Sequence, residues 1–234
     1  MVPFFDPRYI IFMAPAFILM MAVQWYVQSA YKKWSKVQAR SRINGAEAAQ
    51  RLIQRGGLYG VRVEGIAGNL TDHYDPRQKV LRLSQGVYQS TSVAALAIAA
   101  HELGHAMQDK DEYFPLRFRA ALVPAVNIGS YLGWILIIVG MLLRFTQLAW
   151  LGVAVFSAGA LFALATIPVE LNASARAKQL LSETGLIVGD DEKRGVNNVL
   201  NAAALTYVAA LITAVLQLLY FASLVFGMGG RRRS

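Results

Sequence analysis

Ala99-Ala100-His101-Glu102-Leu103-Gly104-His105-Ala106-Met107-Gln108 is the stretch from which the rest of this chain can be read. It contains H-E-x-x-H. Residues four apart share one face of an α-helix, so His101 and His105 can offer two imidazoles to one metal ion. Glu102 sits about 100° further round, within reach of a water beside such an ion. Zinc binds imidazole well, and at a catalytic centre it takes three protein ligands and leaves one position open. The motif thus supplies two ligands and a general base, and it requires a third ligand from elsewhere. Residues 93–100 before it are apolar and Ala-rich with no Pro or Gly, and Ser90, Thr91 and Ser92 offer N-cap hydroxyls. Two His and a Glu on so apolar a helix would be costly to desolvate without a shared purpose.

Of the 234 residues, 56% are hydrophobic, too many for an ordinary soluble domain. The mean hydropathy of +0.39 agrees. There is no cysteine, which excludes disulfides and Cys-ligated zinc. The net charge is +9, but the basic residues flank apolar runs, a pattern that orients a membrane protein rather than one that binds nucleic acid.

Four apolar runs, residues 10–27, 122–143, 148–167 and 205–226, are long enough to span a bilayer at ~1.5 Å per residue. Asp6 and Arg8 precede the first, and Lys32, Lys33, Lys36, Arg40 and Arg42 follow it. The positive-inside rule then places the N-terminus outside and the following segment in the cytoplasm. A cleaved signal peptide would carry its basic cluster before the apolar run, so a retained anchor is expected. The second and third runs are separated only by Arg144, Phe145, Thr146 and Gln147, which predicts a tight hairpin with an external tip. A fourth full crossing would put the basic tail Arg231-Arg232-Arg233 outside, against the same rule.

Between the first two spans lies a small α/β unit. Asn44 with Glu47 three residues later signals a helix from Ala46 to Arg55, ended by Gly56-Gly57. Residues 61–66 alternate like a short strand, 72–77 read as a turn around Asp75-Pro76, and 79–83 read as an edge strand with its Lys and Arg in solvent. The fold class is therefore an α-helical integral membrane protein of about four spans with a small α/β zincin-like cytoplasmic unit. Its expected segments are an anchor (1–29), the α/β unit (30–121), a transmembrane hairpin (122–168), a cytoplasmic helix (169–204), and a last membrane segment with its tail (205–234).

Beyond the motif, histidine is limited to His73. Asp109, Asp111 and Glu112 are too near the motif to fold back easily onto its metal face. Glu183 and the run Asp190-Asp191-Glu192 sit among Gly and polar residues, as in a solvated loop. Glu170 differs: it follows an apolar span on the side expected for the zinc helix, where a carboxylate needs a metal or a partner. The competing readings are an interfacial Glu170 paired with Arg176, and His73 as third ligand.

His101-Glu102-Leu103-Gly104-His105, a membrane hairpin, then Glu170-x-x-x-Ser174 resembles the membrane-bound gluzincin metalloproteases, a group that includes the HtpX and CAAX prenyl proteases. Asp72-His73-Tyr74-Asp75-Pro76 and Pro168-Val169-Glu170-Leu171-Asn172-Ala173-Ser174 are closer still to the YugP-like neutral zinc metallopeptidases of bacteria. The resemblance implies one Zn2+ held by His101, His105 and Glu170, a protein or peptide substrate, and a bacterial plasma-membrane location. In the wider group an acidic residue four after the ligand Glu supports a zinc-bound His; here that place is taken by Ser174.

With zinc in place, Glu102 is the expected general base on the activated water, passing its proton to the leaving amine. His73, Tyr74 and Tyr207 are the candidate donors to the tetrahedral oxyanion. An extended substrate could add to the strand near residues 80–83. The function expected is a zinc endopeptidase at the cytoplasmic membrane face. The alternatives are a zinc hydrolase of another amide or ester, and a scaffold with a relic site; an intact Glu102 argues against the scaffold, because metal binding alone does not need it. Its partners are the substrate and the lipid bilayer, with no nucleic acid.

Overall fold

The computed structural model describes residues 7–230; Asp6 and the basic tail 231–233 lie outside the described residues. The chain is mostly helical. In order it forms α1 (Pro7–Trp34), α2 (Gly45–Arg55), β1 (Arg62–Ile66), β2 (His73–Asp75), β3 (Val80–Ser84), α3 (Gln85–Tyr88), α4 (Val93–Lys110), α5 (Phe114–Leu142), α6 (Thr146–Phe156), α7 (Ala158–Glu183) and α8 (Asp190–Gly230). Among the described residues four helical stretches are long and apolar enough to cross a membrane: Pro7–Trp34, Phe114–Leu142, Thr146–Glu183 and Asp190–Met228.

These helices outrun the apolar runs that announced them. Pro168 lies inside α7 rather than before a new helix, so Glu170 sits well within a continuous helix. Asp190, Asp191 and Glu192, expected in a loop, form the first turn of α8, where carboxylates favour the positive end of the helix dipole. Glu192 is buried and accepts hydrogen bonds from the backbone N–H groups of Arg40 (2.6 Å) and Val188 (3.1 Å).

The chain divides into two compact units. One comprises the residues up to 23, 117–167 and those from 206; the other comprises 24–116 and 168–205. In the first, aromatic rings fill the space between helices: Phe221 stacks edge-on against Trp134 (5.3 Å) and Phe156 (5.0 Å). Gly133, Gly140 and Gly152 let the hairpin helices α5 and α6 touch, since a Cβ at any of them would meet the facing backbone below 3.0 Å.

The second unit contains a three-stranded mixed sheet in the order β1-β3-β2, with β1 parallel and β2 antiparallel to β3. Here two expectations need correcting. β3 is the central strand, not an edge, and the supposed turn region contains β2. The reason lies in β3's side chains: Val80, Leu81, Leu83 and Ser84 are all buried, and Arg82 is ion-paired to Asp75 on β2 (3.0 Å) and Glu64 on β1 (3.6 Å). A charge that looked solvent-facing in sequence is matched by both neighbours. A substrate strand therefore cannot add at β3, because both its edges are taken.

α2 begins as its sequence signals: Asn44 Oδ1 caps the Glu47 N–H at 2.8 Å, and Gly57 ends the helix with φ +61°. Ser92 Oγ caps α4 by accepting from Ala95 N–H (3.2 Å). α4 is buried nearly all round, its Ala94, Ala95, Ala97, Ala99, Ala100 and Ala106 presenting small side chains to every neighbour. Leu52, Leu81, Leu96, Leu103 and Leu181 complete this core.

Candidate metal centre

α4 and α7 touch where the motif lies. Gly104 faces the Ala173 carbonyl so closely that a Cβ would overlap it. This contact brings Glu170, on α7, onto the imidazole face of α4. Glu170 Oε2 lies 3.3 Å from His101 Nε2 and 3.6 Å from His105 Nε2. Ligand atoms of the three residues all lie within 4.8 Å of one another, and among the described residues this is the one such group able to hold a metal ion. The two rings stand nearly perpendicular, centroids 4.9 Å apart, so both Nε2 atoms converge on the carboxylate.

The donor set fits zinc. Glu170 is buried (4% exposed), and among the described residues no Lys or Arg pairs with it; the two imidazoles are its partners. A buried carboxylate that faces two imidazole nitrogens calls for a cation there. The competing pair with Arg176 does not form: that guanidinium bonds Asp111 and Asn172 instead. The other downstream carboxylates are likewise engaged, Asp109 with the Tyr74 hydroxyl (2.9 Å) and Glu183 with Arg55 (3.1 Å).

The outward nitrogens of both rings are also occupied. His101 Nδ1 lies 3.2 Å from Ser174 Oγ, and His105 Nδ1 lies 3.0 Å from Gln108 Oε1. Ser174 thus stands behind the His101 ring, on the side away from Glu170. Burial disfavours the cationic form of His105, but Glu170 and Glu102 more than offset this and raise its pKa.

Glu102 projects beside the cluster toward β2. Its Oε2 accepts a hydrogen bond from the Tyr74 backbone N–H at 3.1 Å. Burial pushes its carboxyl above the usual range; the two histidines oppose this, while Glu170 and Asp72 add to it. A raised proton affinity beside a group that could hold a metal ion is what a general base at this place would need.

The remaining sequence candidates are placed as follows. His73 is exposed on β2, its Nδ1 2.8 Å from Thr71 O, and it is not part of the metal-binding group. The Tyr74 hydroxyl donates to Asp109, and burial followed by that bond holds its pKa well above the usual phenol value. Tyr207 lies on α8 in the other unit. Sequence reasoning missed Gln108 and Gly104. Gln108 sits three residues past His105, a spacing that places it beside that ring on the helix and was the available signal.

A family model described as "Putative neutral zinc metallopeptidase" matches residues 9–226. The chain is 48% identical over 198 residues to a protein of Bacillus subtilis (strain 168) named "Putative membrane protease YugP", covering 85% of this chain and 88% of that one. No solved structure matches.

Proposed function

This chain belongs to the neutral zinc metallopeptidase family, and on that premise we propose that it is a membrane-bound endopeptidase that hydrolyses proteins or peptides at the cytoplasmic membrane face. The observation that carries the reading is the convergence of His101, His105 and Glu170 beside Glu102. The three would hold one Zn2+, which supplies a Lewis acid and lowers the pKa of water.

In this mechanism Glu102 accepts the proton of the attacking water and delivers it to the departing amine. The Tyr74 N–H holds the Glu102 carboxylate in place for that transfer. The Ser174 hydroxyl lies behind His101, 3.2 Å from its Nδ1. β2 is an edge strand next to Glu102, so an extended peptide could pair with its outer side and lie across the site. His73, exposed on that strand, is the proposed donor to the oxyanion.

The cytoplasmic placement of the α/β unit, between a first apolar helix and a hairpin, is part of the same proposal. It rests on the basic residues that follow α1: Lys36, Arg40 and Arg42.

The test is metal content and cleavage of an unfolded protein by detergent-purified wild type beside Glu102→Gln. Glu102→Gln should keep its zinc and lose on the order of 10²-fold or more in rate. Equal cleavage by both proteins would remove Glu102 from the mechanism.

A further inference from the structure

Gln108 has no exposed surface, and a buried primary amide is tolerated only where its polar atoms are matched. Its surroundings dictate which way the amide faces. Arg176 Nε donates to Asn172 Oδ1 at 2.8 Å, and a guanidinium has no acceptor, so the Asn172 atom there must be its oxygen. That oxygen also faces Gln108 at 3.0 Å, so Gln108 must present its NH2 group. The Val169 carbonyl, 2.7 Å away, requires the same independently. Both amide hydrogens are then committed to α7, and the Gln108 oxygen is left facing His105 Nδ1 at 3.0 Å. An oxygen there accepts, so Nδ1 carries a proton, and Nε2, which faces Glu170, is the nitrogen left to bind an ion.

We infer that Gln108 is a positioning residue for the metal centre: it sets the tautomer and ring orientation of His105, and it straps α4 to α7 beside Glu170. The chain of bonds continues outward through Asn172 to Arg176, whose guanidinium pairs with Asp111 and lies 5.8 Å from the Tyr113 ring. The surface ion pair thereby orients two amides in series and, through them, the imidazole. Among the described residues the His101 Nδ1 meets only the Ser174 hydroxyl, so support behind the two rings is unequal. This inference depends on the zinc reading.

Two substitutions separate the roles. Gln108→Met fills similar volume without an acceptor. Gln108→Glu keeps an acceptor for His105 Nδ1–H but loses the donors to Val169 and Asn172. Zinc retention is followed against rising chelator concentration, and the visible spectrum of the cobalt-loaded protein reports the ligand geometry. Gln108→Met should weaken zinc about 10- to 100-fold and alter the cobalt spectrum. Gln108→Glu should recover most of the affinity and the wild-type spectrum while melting at lower temperature, because the strap to α7 is gone.

Wild-type affinity and spectrum in Gln108→Met would overturn the inference. So would a Gln108→Glu protein as weak as Gln108→Met, since the acceptor would then be irrelevant. If Gln108→Met does not fold, Gln108→Glu decides alone: affinity within a few-fold of wild type supports the positioning role, and a 10- to 100-fold loss refutes it. Wild type that takes up neither zinc nor cobalt is a different result, since it removes the metal reading itself.

Discussion

Gly104 and the Ala173 carbonyl are in direct contact, with no room for a single added carbon between them. Gly104 sits between the two histidines of the motif, and Ala173 is three residues past Glu170. The missing side chain therefore sets the distance between the imidazoles and the carboxylate. Gly104→Ala should force the helices apart, costing about 1–3 kcal/mol of stability as over-packed cores do. Zinc should be lost at lower chelator concentration than from wild type. Unchanged zinc retention would mean that the close approach does not set the site.

Removing any one of His101, His105 and Glu170 should be far worse for zinc than removing the groups behind them. Glu170→Ala should lose the metal and abolish cleavage, whereas Glu183→Ala, which breaks surface contacts with Arg55 and Gln179, should do neither. Ser174→Ala should fall between, because a hydroxyl orients an imidazole less firmly than a ligand binds the metal. Metal analysis of these three variants, with His73→Ala beside them, is the check. Zinc retained in Glu170→Ala but lost in His73→Ala would make the site a three-histidine one.

Acid should weaken the sheet in a defined direction. Asp75 is held below the usual carboxylate range, first by the Arg82 hydrogen bond and then by the Gln78 and Arg77 N–H groups. A lowered folded pKa contributes stability above the unfolded value of about 3.9, and that stability is lost as pH falls through the folded value. Melting curves of wild type and Asp75→Asn should differ by a constant amount from about pH 7 to 5 and converge below about pH 4. A difference that persisted at the acid end would show that the ion pair is not its source.

Topology can be read with reporters. One inserted in the segment 36–110 should report the cytoplasm, and one at Thr146-Gln147, the first residues of α6, the exterior. If both report the same side, the hairpin does not cross, and the proposed cytoplasmic cleavage fails with it.

Sequence alone determined what depends on neighbours along the chain. Four-residue helical spacing put His101 and His105 on one face, Asn44 and Ser92 capped the helices that follow them, and the apolar runs appeared as the four long helices. Glu170 could be nominated from its polarity beside an apolar run, but its contact with His101 closes over 69 positions and needed the folded chain. Only the tertiary structure decided that β3 is central, because Arg82 reads as solvent-facing until Glu64 and Asp75 arrive from other strands. Only it gave Gly104 and Gln108 their meaning. A glycine within a motif and a glutamine after it have no signature of their own: one matters for the atoms it leaves out, the other for three partners, two of them on another helix.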